Sequence, residues 1–211
     1  MKKTGRFLGL GVLVLGFILT VAPVAIAADI VGSFPVSVTI TPSSGVNFVV
    51  SRVDSSNNFT PNGSNNLTFP VTLTNGVYLP NYTFAIDLAS TNNGAGNPSV
   101  LIQYANIENP NSDIGRKGLE SKGVCVAQKV VGATGSQTVT NLKSATLGDM
   151  NNTTISKADL SGGYMRVLVG LATGCSDPTK CIVDPTGAEP FTNADEGGTY
   201  TGTLTLTASL P

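Results

Sequence analysis

Histidine and tryptophan are absent from the 211 residues. Only 12% are charged, against about 25% in an ordinary soluble domain. Each shortage excludes something. Without histidine there is no Ser–His–Asp or Cys–His nucleophile, no His-ligated zinc or iron, and no haem on a proximal His. With 12 Lys+Arg against 13 Asp+Glu there is no excess of positive charge to form a basic face, so no nucleic-acid partner is expected. Without tryptophan, and with five tyrosines, little is available for a sugar-stacking platform. The Asp and Glu residues fall in turns or on polar strand faces, so a paired-carboxylate glycosidase is not expected. The chain reads as a non-enzyme. What remains is 41% hydrophobic, set among Thr, Asn, Ser and Gly.

The N-terminus reads as a targeting signal. Lys2, Lys3 and Arg6 precede the uncharged apolar run Phe7–Ala22, Pro23 breaks any helix, and Ala25-Ile26-Ala27 offers a small-x-small cleavage site. The competing reading is an uncleaved anchor, but a span needs about 20 apolar residues and Pro23 favours cleavage. Residues 1–27 are therefore expected to be a signal peptide and 28–211 a single secreted domain. The mature chain carries no other run long enough for a membrane span.

Period-two alternation dominates that domain. Phe34, Val36, Val38 and Ile40 point one way, with Ser37, Thr39 and Thr41 opposite. Val46, Phe48 and Val50 continue the pattern after Pro42-Ser43-Ser44-Gly45. Further strand-like runs are 67–74, 82–88, 100–105, 124–131, 164–172 and 199–210. In the last, Tyr200, Leu204, Leu206, Ala208 and Leu210 face the core, and the threonines face out. Turn formers such as Asn62-Gly63, Asn75-Gly76 and Gly162-Gly163 separate the runs. The prediction is all-β: a single antiparallel β-sandwich, Greek-key or jelly-roll-like, of eight or nine strands. The best helical stretch, Asn141–Asp159, is interrupted by Asn151-Asn152-Thr153-Thr154.

Three cysteines sit in this exported, oxidising context. Cys175 and Cys181 flank a loop with an Asp177-Pro178 turn, and a disulfide between them is expected. By chain-entropy reasoning it would add on the order of 2–3 kcal/mol. Cys125, between Val124 and Val126, is then a free buried thiol, although a bridge from Cys125 to one of the pair stays open. No cofactor is expected, and calcium is the one metal worth weighing. The stretch Asp149-Met150-Asn151-Asn152-Thr153-Thr154-Ile155-Ser156-Lys157-Ala158-Asp159 is similar to a dockerin or EF-hand loop. It has Thr154 where that loop needs glycine, and Asp159 comes one residue early. Asp184, Glu189, Asp195 and Glu196 form a second acidic cluster.

The ending Gly197–Leu210, with its Gly-x-Tyr-x-x-x-Leu-x-Leu cadence, resembles the terminal strand of secreted bacterial fimbrial and coat-type β-sandwich subunits. Spore-coat-U-like proteins share the cadence, and TasA-like matrix fibre subunits are a looser comparison. The segment Gly32–Thr41 suits the same group. The resemblance covers about a quarter of the mature chain and implies a structural subunit at the cell surface or outside the cell, with no catalytic residue. The expected partners are other copies of the chain. The assembly strand would be residues 28–41, its apolar stripe Phe34, Val36, Val38 and Ile40 pairing either within its own sheet or with a neighbour's. The alternative is a secreted β-sandwich module that binds a surface glycan or other ligand, with or without calcium. Tyr78 and Tyr82 clustered near Tyr104 on the surface would favour it.

Overall fold

Alternating sequence becomes paired strand almost throughout. The computed structural model of the protein describes residues 33–42, 45–90, 98–107, 119–132, 137–176, 183–195 and 200–210. The predicted leader, residues 1–27, and Cys181 lie outside them. Twelve strands and one helical turn follow in order: β1 Ser33–Pro42, β2 Val46–Val53, β3 Phe59–Pro61, β4 Asn66–Thr74, β5 Val77–Pro80, β6 Thr83–Ser90, β7 Ser99–Ile107, β8 Gly123–Val131, β9 Thr138–Thr146, α1 Leu147–Met150, β10 Thr153–Ile155, β11 Tyr164–Leu171 and β12 Thr201–Ser209.

The strands form two six-stranded sheets, ordered β10-β7-β12-β1-β4-β5 and β3-β2-β6-β11-β8-β9. The fold is an all-β sandwich with antiparallel sheets, as the alternation predicts. The count of eight or nine strands is corrected to twelve among the described residues. The additions are the short strands β3, β5 and β10, plus β9. β9 and β10 take up residues 141–146 and 153–155 of the stretch weighed as a helix. Of that helix only α1 forms, a single turn whose N-cap Thr146 accepts a hydrogen bond from the Asp149 N–H at 3.1 Å.

One pairing departs from the antiparallel pattern. β1 lies parallel to β12, with Val36 opposite Gly202 and Ile40 opposite Leu206. Its other neighbour is antiparallel β4, with Val36 opposite Leu67 and Phe34 opposite Phe69. The first strand of the domain thus occupies the middle of the first sheet, and a three-residue link, 43–45, carries the chain to β2 in the other sheet.

The sheets enclose one main core. Phe69 from the first sheet meets Phe84 from the second edge to face, with ring centroids 5.0 Å apart. Leu67, Ile86, Leu88, Ile102, Val167, Leu204 and Leu206 fill in around them, all fully buried. Each such side chain contributes roughly 1.5–3 kcal/mol by leaving water. Gly202 is required by packing rather than by φ, since a Cβ there would sit 2.5 Å from the Tyr104 hydroxyl. Asn75-Gly76, one of the predicted turn formers, makes the hairpin turn between β4 and β5, with φ 51° and 82°. The described segment 183–195, between β11 and β12, adds a residue to this core. Phe191 is fully buried there against Tyr200, and its carbonyl accepts the Tyr78 N–H at 2.8 Å.

Candidate functional site

Two features stand out from the uniform sandwich. The first is the slot that β1 fills. Its walls are β12 and β4, and its core-facing positions are Leu67, Phe69, Leu204 and Leu206, each fully buried. Of the predicted assembly stripe, Val36 is 1% exposed. The backbone register sets Phe34 opposite Phe69, Val38 opposite Leu204 and Ile40 opposite Leu206, and their side chains lie outside the described residues. Thr39 and Thr41 on the other face are exposed, as alternation requires. No charged residue occurs in any of the six strands of this sheet.

The second feature lies on the outer face of the other sheet. Arg166 stands near the middle of β11, opposite Asp87 of β6. The guanidinium donates two hydrogen bonds to the Asp87 carboxylate, at 2.7 and 2.9 Å, and a third to the Tyr164 hydroxyl at 3.3 Å. The Phe59 ring covers the guanidinium at 4.4 Å, and Arg166 is 7% exposed. The Asp87 hydrogen bonds raise the Arg166 pKa further, so the guanidinium stays charged. Burial pushes the Tyr164 hydroxyl pKa up.

Around this pair runs a cleft of about 670 Å³, extending from the Asp54–Phe59 turn across β6, β11 and β8 to Val139 on β9. Its floor is Val124, Val126 and Leu168, part of a small apolar cluster outside the main core. Phe59 and Val139 on its sides are each more than two-fifths exposed. At one end Asp184 accepts hydrogen bonds from the N–H groups of Thr173 and Gly174 at 2.9 and 2.7 Å. At the other, Asp54 accepts from the N–H groups of Ser56 and Asn58. Sequence reading missed this site. Its signal was one charge in each of two apolar runs, Asp87 in Thr83–Ser90 and Arg166 in Tyr164–Leu171.

The surface tyrosine patch that would favour a ligand-binding module does not form. Tyr78, Tyr104 and Tyr200 are buried, at 7%, 5% and 6% exposure. Tyr82 is half-buried against Phe84 and Arg52, and its hydroxyl donates to the Thr68 carbonyl at 3.2 Å. Nor are the oxygens of the calcium-like stretch gathered on one point. Asp149 is tied to Thr146, Asn151 accepts from the Tyr104 N–H, Asn152 from Gln103, and Asp159 from Ser156. Among the described residues, no three His, Cys, Asp or Glu side chains are grouped so as to hold a metal. In the second acidic cluster, Asp195 lies 3.0 Å from the nearly buried Lys122 ammonium. Burial works against the Asp195 charge, but Thr192 and Lys122 outweigh it and hold the carboxyl below its usual range. Lys122 also donates to the Pro190 carbonyl at 3.2 Å, pinning the segment that carries Phe191. Cys125 is free and fully buried, and burial raises its thiol pKa to about 12, which makes it inert.

No family model matches the chain, and no curated protein and no solved structure matches it.

Proposed function

We propose that the protein is an exported, non-enzymatic structural subunit that builds a surface fibre or coat by exchanging β1 between copies. The observation that carries this reading is the position of β1. The strand lies at the start of the domain, yet its slot is in the middle of a sheet, between β4 and β12. Exchange between copies keeps every hydrogen bond and side-chain contact of that slot and changes only the path of the 43–45 link, so it needs little new interaction energy. A sheet free of charge supports close packing between copies, because few ions would be desolvated. The resemblance of Gly197–Leu210 to fimbrial and coat subunits points the same way.

The reading includes the Cys175–Cys181 disulfide. It is supported by Cys175 being disulfide-bonded while Cys125 is free, and by the Asp184 N–H donating to the Cys175 carbonyl at 3.0 Å, which closes the base of that loop.

Ser37 of β1 lies directly opposite Asn66 of β4, a geometry suited to an introduced disulfide. Two mature chains, one Ser37→Cys and one Asn66→Cys, are mixed, refolded and oxidised. Exchange predicts a 37–66 link between chains, found by peptide mapping under non-reducing conditions, and the same map reads the native Cys175–Cys181 link. A double variant that links only within one chain, together with no link in the mixture, sinks the exchange.

A further inference from the structure

The cleft over the second sheet is not used by strand exchange, and its chemistry selects a ligand. We propose that it binds a neutral saccharide chain, laid across β6, β11 and β8 with a sugar ring against Phe59.

The volume, about 670 Å³, falls within the roughly 300–1,000 Å³ common for ligand sites. The lining combines apolar faces with neutral hydrogen-bonding side chains. Phe59 presents a ring that is 45% exposed although its partner Arg166 is buried, so one edge of the guanidinium–aromatic stack is open to the cleft. Amide side chains stand along the rim: Asn57 and Asn81 near Phe59, Gln128 and Gln137 towards Val139. A pyranose has the matching surface, apolar C–H groups on one face and hydroxyls around its edge.

Charge narrows the class. Among the described lining residues Arg166 is the one basic side chain, and Asp87 already neutralises it in a two-point bond. Asp54 and Asp184 also line the cleft, and no lysine is among its described lining residues. An anionic ligand, such as a phosphate or an acidic polysaccharide, would meet uncompensated carboxylates. A neutral one loses nothing to them. Asp54 and Asp184 are each held by two backbone N–H groups, so the ends of the cleft are fixed before any ligand arrives.

The binding is measured on the mature chain by isothermal titration with cellohexaose, maltoheptaose and chitohexaose, and with tri-galacturonate as the acidic probe. At least one neutral probe is expected to bind with a Kd below about 1 mM, and the acidic probe at least tenfold more weakly. Phe59→Ala, a change at an exposed ring, is expected to weaken binding at least tenfold. Leu73→Ala, an equally exposed apolar position on β4 in the other sheet, is expected to leave it unchanged. Circular dichroism and melting confirm that each variant is folded. No binding by any neutral probe, tighter binding of the acidic one, or equal binding by Phe59→Ala overturns the proposal. The cleft lies on the sheet that β1 does not join, so these outcomes are separate from those of the disulfide-exchange test.

Discussion

The two sheets share one core and differ in almost everything else. The six strands of the first sheet hold no charged residue, while those of the second hold Arg52, Asp87, Lys129, Lys143 and Arg166. The first sheet takes its central strand from the start of the domain and its neighbour from the end. In the second, β6, β11 and β8 pair antiparallel along their length, and a bidentate ion pair ties β6 to β11. The strands of the first sheet carry no ion pair among themselves. The second sheet adds directional polar bonds on its outer face, where a ligand can meet them. Under the proposed function and the proposed ligand site, labour divides by face, with association on the charge-free sheet and recognition on the charged one.

The largest test of that contrast is Val36→Asp. Val36 is 1% exposed between Leu67 and Gly202, and an unpaired carboxylate there has no partner in a sheet without cations. The change is expected to abolish cooperative folding of the monomer and, with it, any polymer, read by circular dichroism and size-exclusion chromatography. A folded variant that still polymerises would show that β1 is dispensable to both sheet and assembly.

The second sheet predicts a different response to charge. Arg166→Met alone leaves Asp87 without its partner, and a half-broken pair of this kind costs about 2–4 kcal/mol, discounted because the Asp87 side chain is 27% exposed. Arg166→Met with Asp87→Leu restores an apolar surface and is expected to recover most of that loss in urea denaturation. If the double variant is no better than the single, the pair holds the sheet through more than its mutual charge.

The smallest effect is expected at Lys143, one of the exposed residues of β9, the second sheet's nine-residue edge strand. Lysine on an edge discourages pairing with another chain. Lys143→Thr makes this edge resemble the first sheet. It should change stability by less than about 0.5 kcal/mol while raising self-association in light scattering. Unchanged scattering would remove the edge charge from the account of how the two sheets differ.

Much of the fold was legible because burial of one face imposes period two. Val36, Leu204 and Leu206 stand on the core side, as their spacing requires, and Asn75-Gly76 turns where its φ > 0 tolerance allows. The edge strand β9 was not legible. Its residues Thr138–Lys143 are mostly exposed, so no apolar alternation marks them as strand. The cleft was hidden for another reason. Arg166 and Asp87 are 79 positions apart, and only strand pairing makes them neighbours. Tyr200 lies in the core, as its place in the alternation requires, whereas no alternation fixed Tyr78 and Tyr104, and an aromatic in a sparse sequence is as useful to a core as to a surface.

The parallel pairing of β1 with β12 has a consequence for timing. Contacts between the first and last strands are the slowest to form, because the longest loop must close before they are made. As the chain emerges from its N-terminal end, β1 appears first, meets β4 early, and then waits for β12 with one side of its backbone open. Throughout that interval the β1 edge that β12 will cover is unpaired, and the β12 of a second copy has the register to pair with it. Under the proposed exchange, the order of emergence therefore creates a window in which the β12 of a second copy competes with the chain's own β12, and crowding of nascent chains, rather than the stability of the finished sandwich, would set how often exchange occurs.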